Sequence, residues 1–205
     1  MPRVVHIIGN GDNASIFNNE PRPGLKLTCN LPPFPVQDAY GTCIVDFKMM
    51  IAITKGEITV PGEWILGARP KKWMETNPGF YLRVSQQVKE FYTVLPKYSP
   101  TYTEFNCGHM ATHYSCNKFK PDEVNLYGFD SLFDFNMKSC TDFYLPSARD
   151  NNNQLRLANR WRPIWQGIFK EFKNINFILH HNHNNIKFEV PDNVTINVSE
   201  NKKKK

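Results

Sequence analysis

The sequence predicts an α/β fold: a single domain with a mainly parallel sheet and helices on both faces, Rossmann-like in plan. Three observations lead there. A β-branched run, Val4-Val5-His6-Ile7-Ile8, breaks at once into the polar loop Gly9-Asn10-Gly11-Asp12-Asn13. Further short apolar runs alternate with stretches of helical spacing, the pattern of repeated β-α-β units. A chain of 205 residues holds one domain with a real core and is too short for two comfortable ones. Residues 1–200 are therefore assigned to the domain and 201–205 to a basic tail.

In chain order, Val4 to Ile8 is the first strand and Leu25 to Asn30 the second. The prolines between Leu31 and Pro35 force a loop, because proline has no donor for a strand ladder. Gly41 to Asp46 reads as a third strand, with Phe47 to Ile53 continuing it or opening a helix. Glu63 to Gly67 is a short strand. Tyr81 to Tyr92 carries Leu82, Val84, Val88, Phe91 and Tyr92 close to helical spacing and predicts a helix. Gly108 to Cys116 starts another helix, Lys118 to Asp122 turns, and Glu123 to Asp130 is a buried strand ending in polar residues. Leu157, Trp161, Ile164, Trp165, Ile168, Phe169 and Phe172 share one helical face, with Pro163 in a first turn or at a kink. Ile175 to Leu179 is expected as the last core strand.

No apolar run reaches the roughly 18 residues of a membrane span, and the first strand begins too early for a signal peptide. The expectation is a cytoplasmic protein with no membrane partner. Five scattered cysteines, an odd number, fit a reducing compartment. Of the net charge of +6, four charges are the terminal Lys202 to Lys205, leaving +2 on the rest. Such a tail is a solvated end or a weak phosphate contact; it does not by itself make a nucleic-acid binder.

Parallel sheets bind ligands beyond the carboxyl ends of their strands, which selects Gly9 to Asn13, Asn30, Asp46 and Asp130 to Phe133. Gly9 and Gly11 would let a phosphate or ribose approach the backbone closely, and Asn10 offers amide donors and an acceptor. An ordinary turn is the alternative. The dinucleotide fingerprint is not met, since position 14 is Ala and no acidic residue closes the next strand. Cys107, His109, His113 and Cys116 have spacing that could bind zinc on a helix. His180, His181 and His183 read as a solvated strand end rather than a metal site.

Four segments in order, Val5 to Gly11, Leu27 to Asn30, Cys107 to Ala111 and Val124 to Asp130, resemble the motifs of bacterial sialyltransferases and related small glycosyltransferase-like proteins, including bacteriophage members. The resemblance spans roughly residues 4 to 131. It implies that Gly9, Asn10, Gly11, Asn30, Cys107 and Gly108 hold a nucleotide-sugar as co-substrate, with His109 beside it and no metal or other cofactor. Those enzymes take a general-base His from beyond the Gly-hydrophobic-Asp strand and steady the leaving phosphate with tyrosines. No His lies between Ser131 and Arg162 here. Tyr144 and Arg149 are the phosphate candidates, and Asp130 is the nearest candidate base, a turn-capping role being its alternative.

The function implied is transfer of a sugar from a nucleotide-sugar donor to a hydroxyl. The first acceptor is a hydroxymethylated base in phage DNA, with a pentose such as arabinose as the sugar; a surface glycan is the second. Trp64, Trp73, Trp161 and Trp165 are available to stack a flipped base, although a core role suits the last two better. The rival class is a non-catalytic nucleotide-binding or interaction protein.

Overall fold

The computed structural model describes residues 3–19, 22–134 and 151–199. Its frame is an eight-stranded, wholly parallel sheet in the order β5-β4-β3-β2-β1-β6-β7-β8. The strands are β1 (Val4–Ile8), β2 (Leu25–Cys29), β3 (Ala39–Ile44), β4 (Trp64–Leu66), β5 (Val88–Phe91), β6 (Glu123–Tyr127), β7 (Asn176–His181) and β8 (Val194–Val198). The helices are α1 (Phe47–Thr54), α2 (Ala68–Thr76), α3 (Pro78–Val84), α4 (Cys107–Phe119) and α5 (Asn151–Glu171). The α/β, Rossmann-like plan is what the alternating pattern predicts.

Period-two alternation divides the sheet residues between two faces. Val5, Ile7, Leu27, Cys29, Val124, Leu126 and Phe177 face α4 and α5, against Met110, Tyr114, Ile164, Trp165 and Phe169. On the other face Ile44, Trp64 and Leu66 pack on α1, α2 and α3. Ile8 and Tyr127 meet Ile16 and Phe17 of a 3₁₀ turn, Asp12–Asn19. Each large side chain so enclosed contributes about 1.5–3 kcal/mol of apolar burial.

Two details differ from the sequence expectation, and two of its alternatives are narrowed. Residues 81–92 are not one helix: α3 stops at Val84, a 3₁₀ turn follows at Ser85–Gln87, and Val88–Phe91 pairs with β4. β7 is not the last strand, because β8 adds beyond it in parallel register, Phe177 opposite Val194. Phe47 opens a helix, with the Asp46 carboxylate accepting from the Lys48 N–H as its N-cap. Pro163 lies inside α5. Among the described residues no helix is long and apolar enough to cross a membrane. Tyr144, Arg149, Cys140 and the tail Lys202 to Lys205 lie outside the described residues.

Candidate functional site

The chain builds from β1 outward to β5, then α4 carries it back across the sheet to β6 on the far side of β1. The order therefore reverses between β1 and β6, and a parallel sheet offers a ligand crevice at such a reversal, beyond the carboxyl ends of the strands. A cleft of about 160 Å³ occupies that position, its walls formed by the β1 loop (Gly9, Asn10, Gly11), Asn30, the start of α4, the β6 loop through Asp130, and Trp161. Seven of the nucleotide and catalytic candidates from the sequence meet there: Gly9, Asn10, Gly11, Asn30, Cys107, Gly108 and Asp130.

The glycines serve a purpose other than the one expected. None of Gly9, Gly11 and Gly108 has a left-handed φ; what they supply is room for neighbouring protein. A Cβ on Gly9 would lie 2.8 Å from the Gly128 carbonyl oxygen, one on Gly11 2.6 Å from the Asp130 carboxyl, and one on Gly108 2.2 Å from the Phe129 ring. The β1 loop is thus laced to the β6 loop, with Gly9 N–H donating to Tyr127 O (2.7 Å) and Gly11 N–H to Gly128 O (3.0 Å). Asn10 donates its side-chain amide to Leu31 O at 2.6 Å, tying the first loop to the second. Asn30 takes a left-handed φ of 50°, which asparagine tolerates, and accepts from the Cys107 thiol at 2.7 Å.

Asn106 caps α4 by accepting from the His109 N–H (3.0 Å), while His109 Nδ1 accepts from the Asn106 N–H (3.1 Å). This capping box orients the helix so that its first turn, at Cys107 and Gly108, lines the cleft. N–H groups of a first turn have no intrahelical acceptor, and the helix dipole favours an anion there. His109 itself is fully buried, stacked on Phe105 and edge-on to Trp165, and burial pushes its pKa down to about 3. It fixes the helix start and does not line the cleft, contrary to its expected place beside the nucleotide.

The zinc-like spacing on α4 does not converge. Cys107 points to Asn30, His109 to its cap, and His113 to Tyr92 Oη (2.7 Å) and Glu171 (3.3 Å). Trp161 lines the cleft, correcting its assignment to the core, whereas Trp64 and Trp165 are buried. Nor are His180 and His181 solvated: both are buried. Burial lowers His180 to about 3 and His181 to about 4. His180 Nε2 meets Asn125 Oδ1 at 2.7 Å, and its ring stacks on Tyr127 at 4.2 Å. His181 reaches the Asp130 region from β7, a placement that fifty intervening residues hide from local sequence reading.

Among the described residues, Asp134, His181 and His183 bring ligand-type atoms within 4.8 Å of one another. Their hydrogen bonds have the wrong sense for a metal. His181 Nδ1 accepts from the His183 N–H and His183 Nδ1 from the Asn185 N–H, both at 3.2 Å. An imidazole ligating through Nε2 instead needs a proton on Nδ1 to donate outward. The arrangement suits an Nε2–H on each ring: that of His183 meets Asp134 at 3.3 Å, while His181 Nε2 lies 3.0 Å from the Asn13 side-chain amide and 3.6 Å from Asp134.

Compared with family models, curated proteins and solved structures, the chain matches none.

Proposed function

We propose that the protein is a glycosyltransferase that seats the nucleotide of a nucleotide-sugar in the cleft at the β1–β6 reversal and transfers the sugar to a hydroxyl. The observation that supports this most is the meeting of a capped helix N-terminus with Asn10, Asn30 and an accessible aromatic, Trp161, in one crevice. The helix start suits a phosphate oxygen, the side-chain amides suit ribose hydroxyls or base edges, and Trp161 suits a stacked ring. The volume is below the about 300–1,000 Å³ of most small-molecule sites, so the cleft encloses part of such a donor rather than all of it. Tyr144 and Arg149 are retained as proposed phosphate contacts.

Binding of CMP-, UDP-, GDP- and dTDP-sugars tests the reading. Asn10→Ala and Asn30→Gly, the glycine keeping the left-handed backbone at 30, should each weaken the preferred nucleotide by about 1–3 kcal/mol while leaving the melting temperature within a few degrees. Unchanged affinity in both variants would remove the site assignment. For the acceptor, our first proposal is a hydroxymethylated base in duplex DNA, where Trp161 could stack an extruded base. Sugar incorporation confined to hydroxymethylated duplexes is expected. Transfer to an oligosaccharide alone would select the glycan alternative, and nucleotide binding without turnover on either would select the non-catalytic one.

A further inference from the structure

Asp130 is the only carboxylate lining the cleft among the described residues, and no Lys, Arg or His lines it. An ionised carboxylate there would oppose the phosphates of a nucleotide. The hydrogen bonds behind it show how that opposition is avoided. The side-chain amide of Asn13, on the 3₁₀ turn after β1, sits between Asp130 Oδ1 (3.1 Å) and His181 Nε2 (3.0 Å), the contacting atom placed as Nδ2. A nitrogen in that place donates to both neighbours. His181 Nδ1, however, already accepts from the His183 N–H. Both ring nitrogens would then be acceptors, and a neutral imidazole has only one.

Amide nitrogen and oxygen exchange places by a half-turn, and the partners decide which is correct. With the oxygen between them, His181 donates Nε2–H to Asn13 Oδ1 and each ring nitrogen is used in the sense a neutral imidazole allows. Asn13 Oδ1 then faces a carboxyl oxygen, which is a hydrogen bond only if that oxygen carries a proton. The backbone N–H of Asn13, 3.3 Å from Asp130 Oδ2, donates to the other, carbonyl-type oxygen.

We propose that Asp130 is held as a neutral carboxylic acid by the chain His183 N–H to His181 to Asn13, so that the cleft accepts an anionic ligand. The surroundings agree. Burial raises the Asp130 carboxyl above its ordinary range, outweighing the lowering by the hydrogen bonds from Asn13 as placed, and the charge of Asp12, on the same turn, adds to the rise. On the β7 side, burial and His183 keep His181 neutral. Asp134 adds negative charge 3.6 Å from His181 Nε2, and Arg162 of α5 donates to the carbonyl oxygens of Ser131 and Asp134. A carboxyl that already holds its proton cannot take one from an acceptor hydroxyl. On this proposal Asp130 in the resting protein is a proton donor rather than the candidate base.

The proton is a property of the ligand-free protein; only the identity of the anion rests on the nucleotide reading. The first measurement is a carbon-13 NMR titration of the aspartate carboxyls in ligand-free wild type, Asp130 being identified by the resonance missing in Asp130→Asn. It should stay protonated through the range where the exposed aspartates ionise, and titration together with them would overturn the proposal. The second is calorimetric binding of CMP and UDP against pH. Wild-type affinity should fall by up to about tenfold per pH unit above the Asp130 midpoint. Asp130→Asn, a permanent stand-in for the neutral acid, should bind at least as well with a flat profile. A more than tenfold loss in Asp130→Asn would also count against the proposal. If neither nucleotide binds wild type, the nucleotide reading fails while the titration still decides the proton. Should that variant not fold, Asp130→Glu, which also removes one aspartate resonance while keeping a carboxyl in place, makes the assignment and the same wild-type titration decides it.

Discussion

Acidification from pH 7 towards 4.5 should steeply destabilise the protein, the loss setting in near pH 6.5 and reaching its full slope below pH 6. The cause is a set of buried histidines that cannot take up protons without leaving their partners. His109 and His180 are lowered to about 3 and His181 to about 4, in each case chiefly by burial; His6 and His113 are lowered as well. A histidine whose folded pKa lies below its unfolded value of 6.5 leaves stability intact above 6.5 and removes it as the pH falls from there to the folded value. In that window the unfolded chain binds more protons. Each of the three contributes a slope of about 1.4 kcal/mol per pH unit, roughly 4 kcal/mol per unit together. Asp130 acts in the opposite sense, because its raised pKa makes the folded state bind the extra proton above 3.8, and it offsets at most one of the three. The remainder, about 2.7 kcal/mol per pH unit, removes the stability of a protein at the low end of the typical range of about 5–15 kcal/mol within about two pH units. Urea unfolding at a series of pH values measures the slope directly, and a midpoint that stays level from pH 6.5 to 5 would contradict the buried-histidine account.

Gly128→Ala should be among the most destabilising single substitutions, at about 2–5 kcal/mol, from a left-handed backbone of about 1–2 kcal/mol and overpacking of about 1–3 kcal/mol. Gly128 has φ +74°, and a Cβ there would lie 2.7 Å from Ala14 Cβ and 3.0 Å from Ala14 N. The contacting atoms belong to the backbone and first carbon of a fully buried residue, so they cannot swing aside. Gly62 supplies the control, with φ +77° and nothing within 4 Å of its would-be Cβ. Gly62→Ala should therefore show the backbone effect alone, about 1–2 kcal/mol. Thermal unfolding should separate the two by roughly 3–10 °C. Equal losses would mean that the contact between the β1 and β6 loops does not constrain the fold.

The fold was legible where local physics decides it. β1, β2, β4, β6 and β7 are short apolar runs that a buried parallel strand requires, and α5 announces itself by its apolar face. β5 was misread because Leu82, Val84, Val88 and Phe91 mimic a helical period across an element boundary, and its four residues are all half-buried, which erases any alternation. β8, Val-Thr-Ile-Asn-Val, looks polar because most of it faces solvent at the sheet edge. At the site, the loop residues could be named because strand ends in a parallel sheet are ligand positions whatever the chain. The partners that set their chemistry could not. Asn13, Asp130 and His181 come together from three strand ends, and no spacing rule links them. Gly9 and Gly11 line the cleft, but the space a side chain would need at each is filled by the β6 loop, which the sequence does not place beside them.

The position of β1 has a meaning in time. It pairs with β2 on one side and with β6 on the other, Val5 opposite both Leu25 and Val124, so the first strand made is a central strand of the sheet. A growing chain can assemble β1 through β5 as it emerges, but that half-sheet exposes an unpaired edge of β1 and has only one wall of the cleft. Pairing across such a separation is slow to close. Capture of any ligand by this cleft thus becomes possible only after β6 and the Trp161 segment have been synthesised, so a ligand present during translation would stabilise chains that include them and leave shorter ones unprotected.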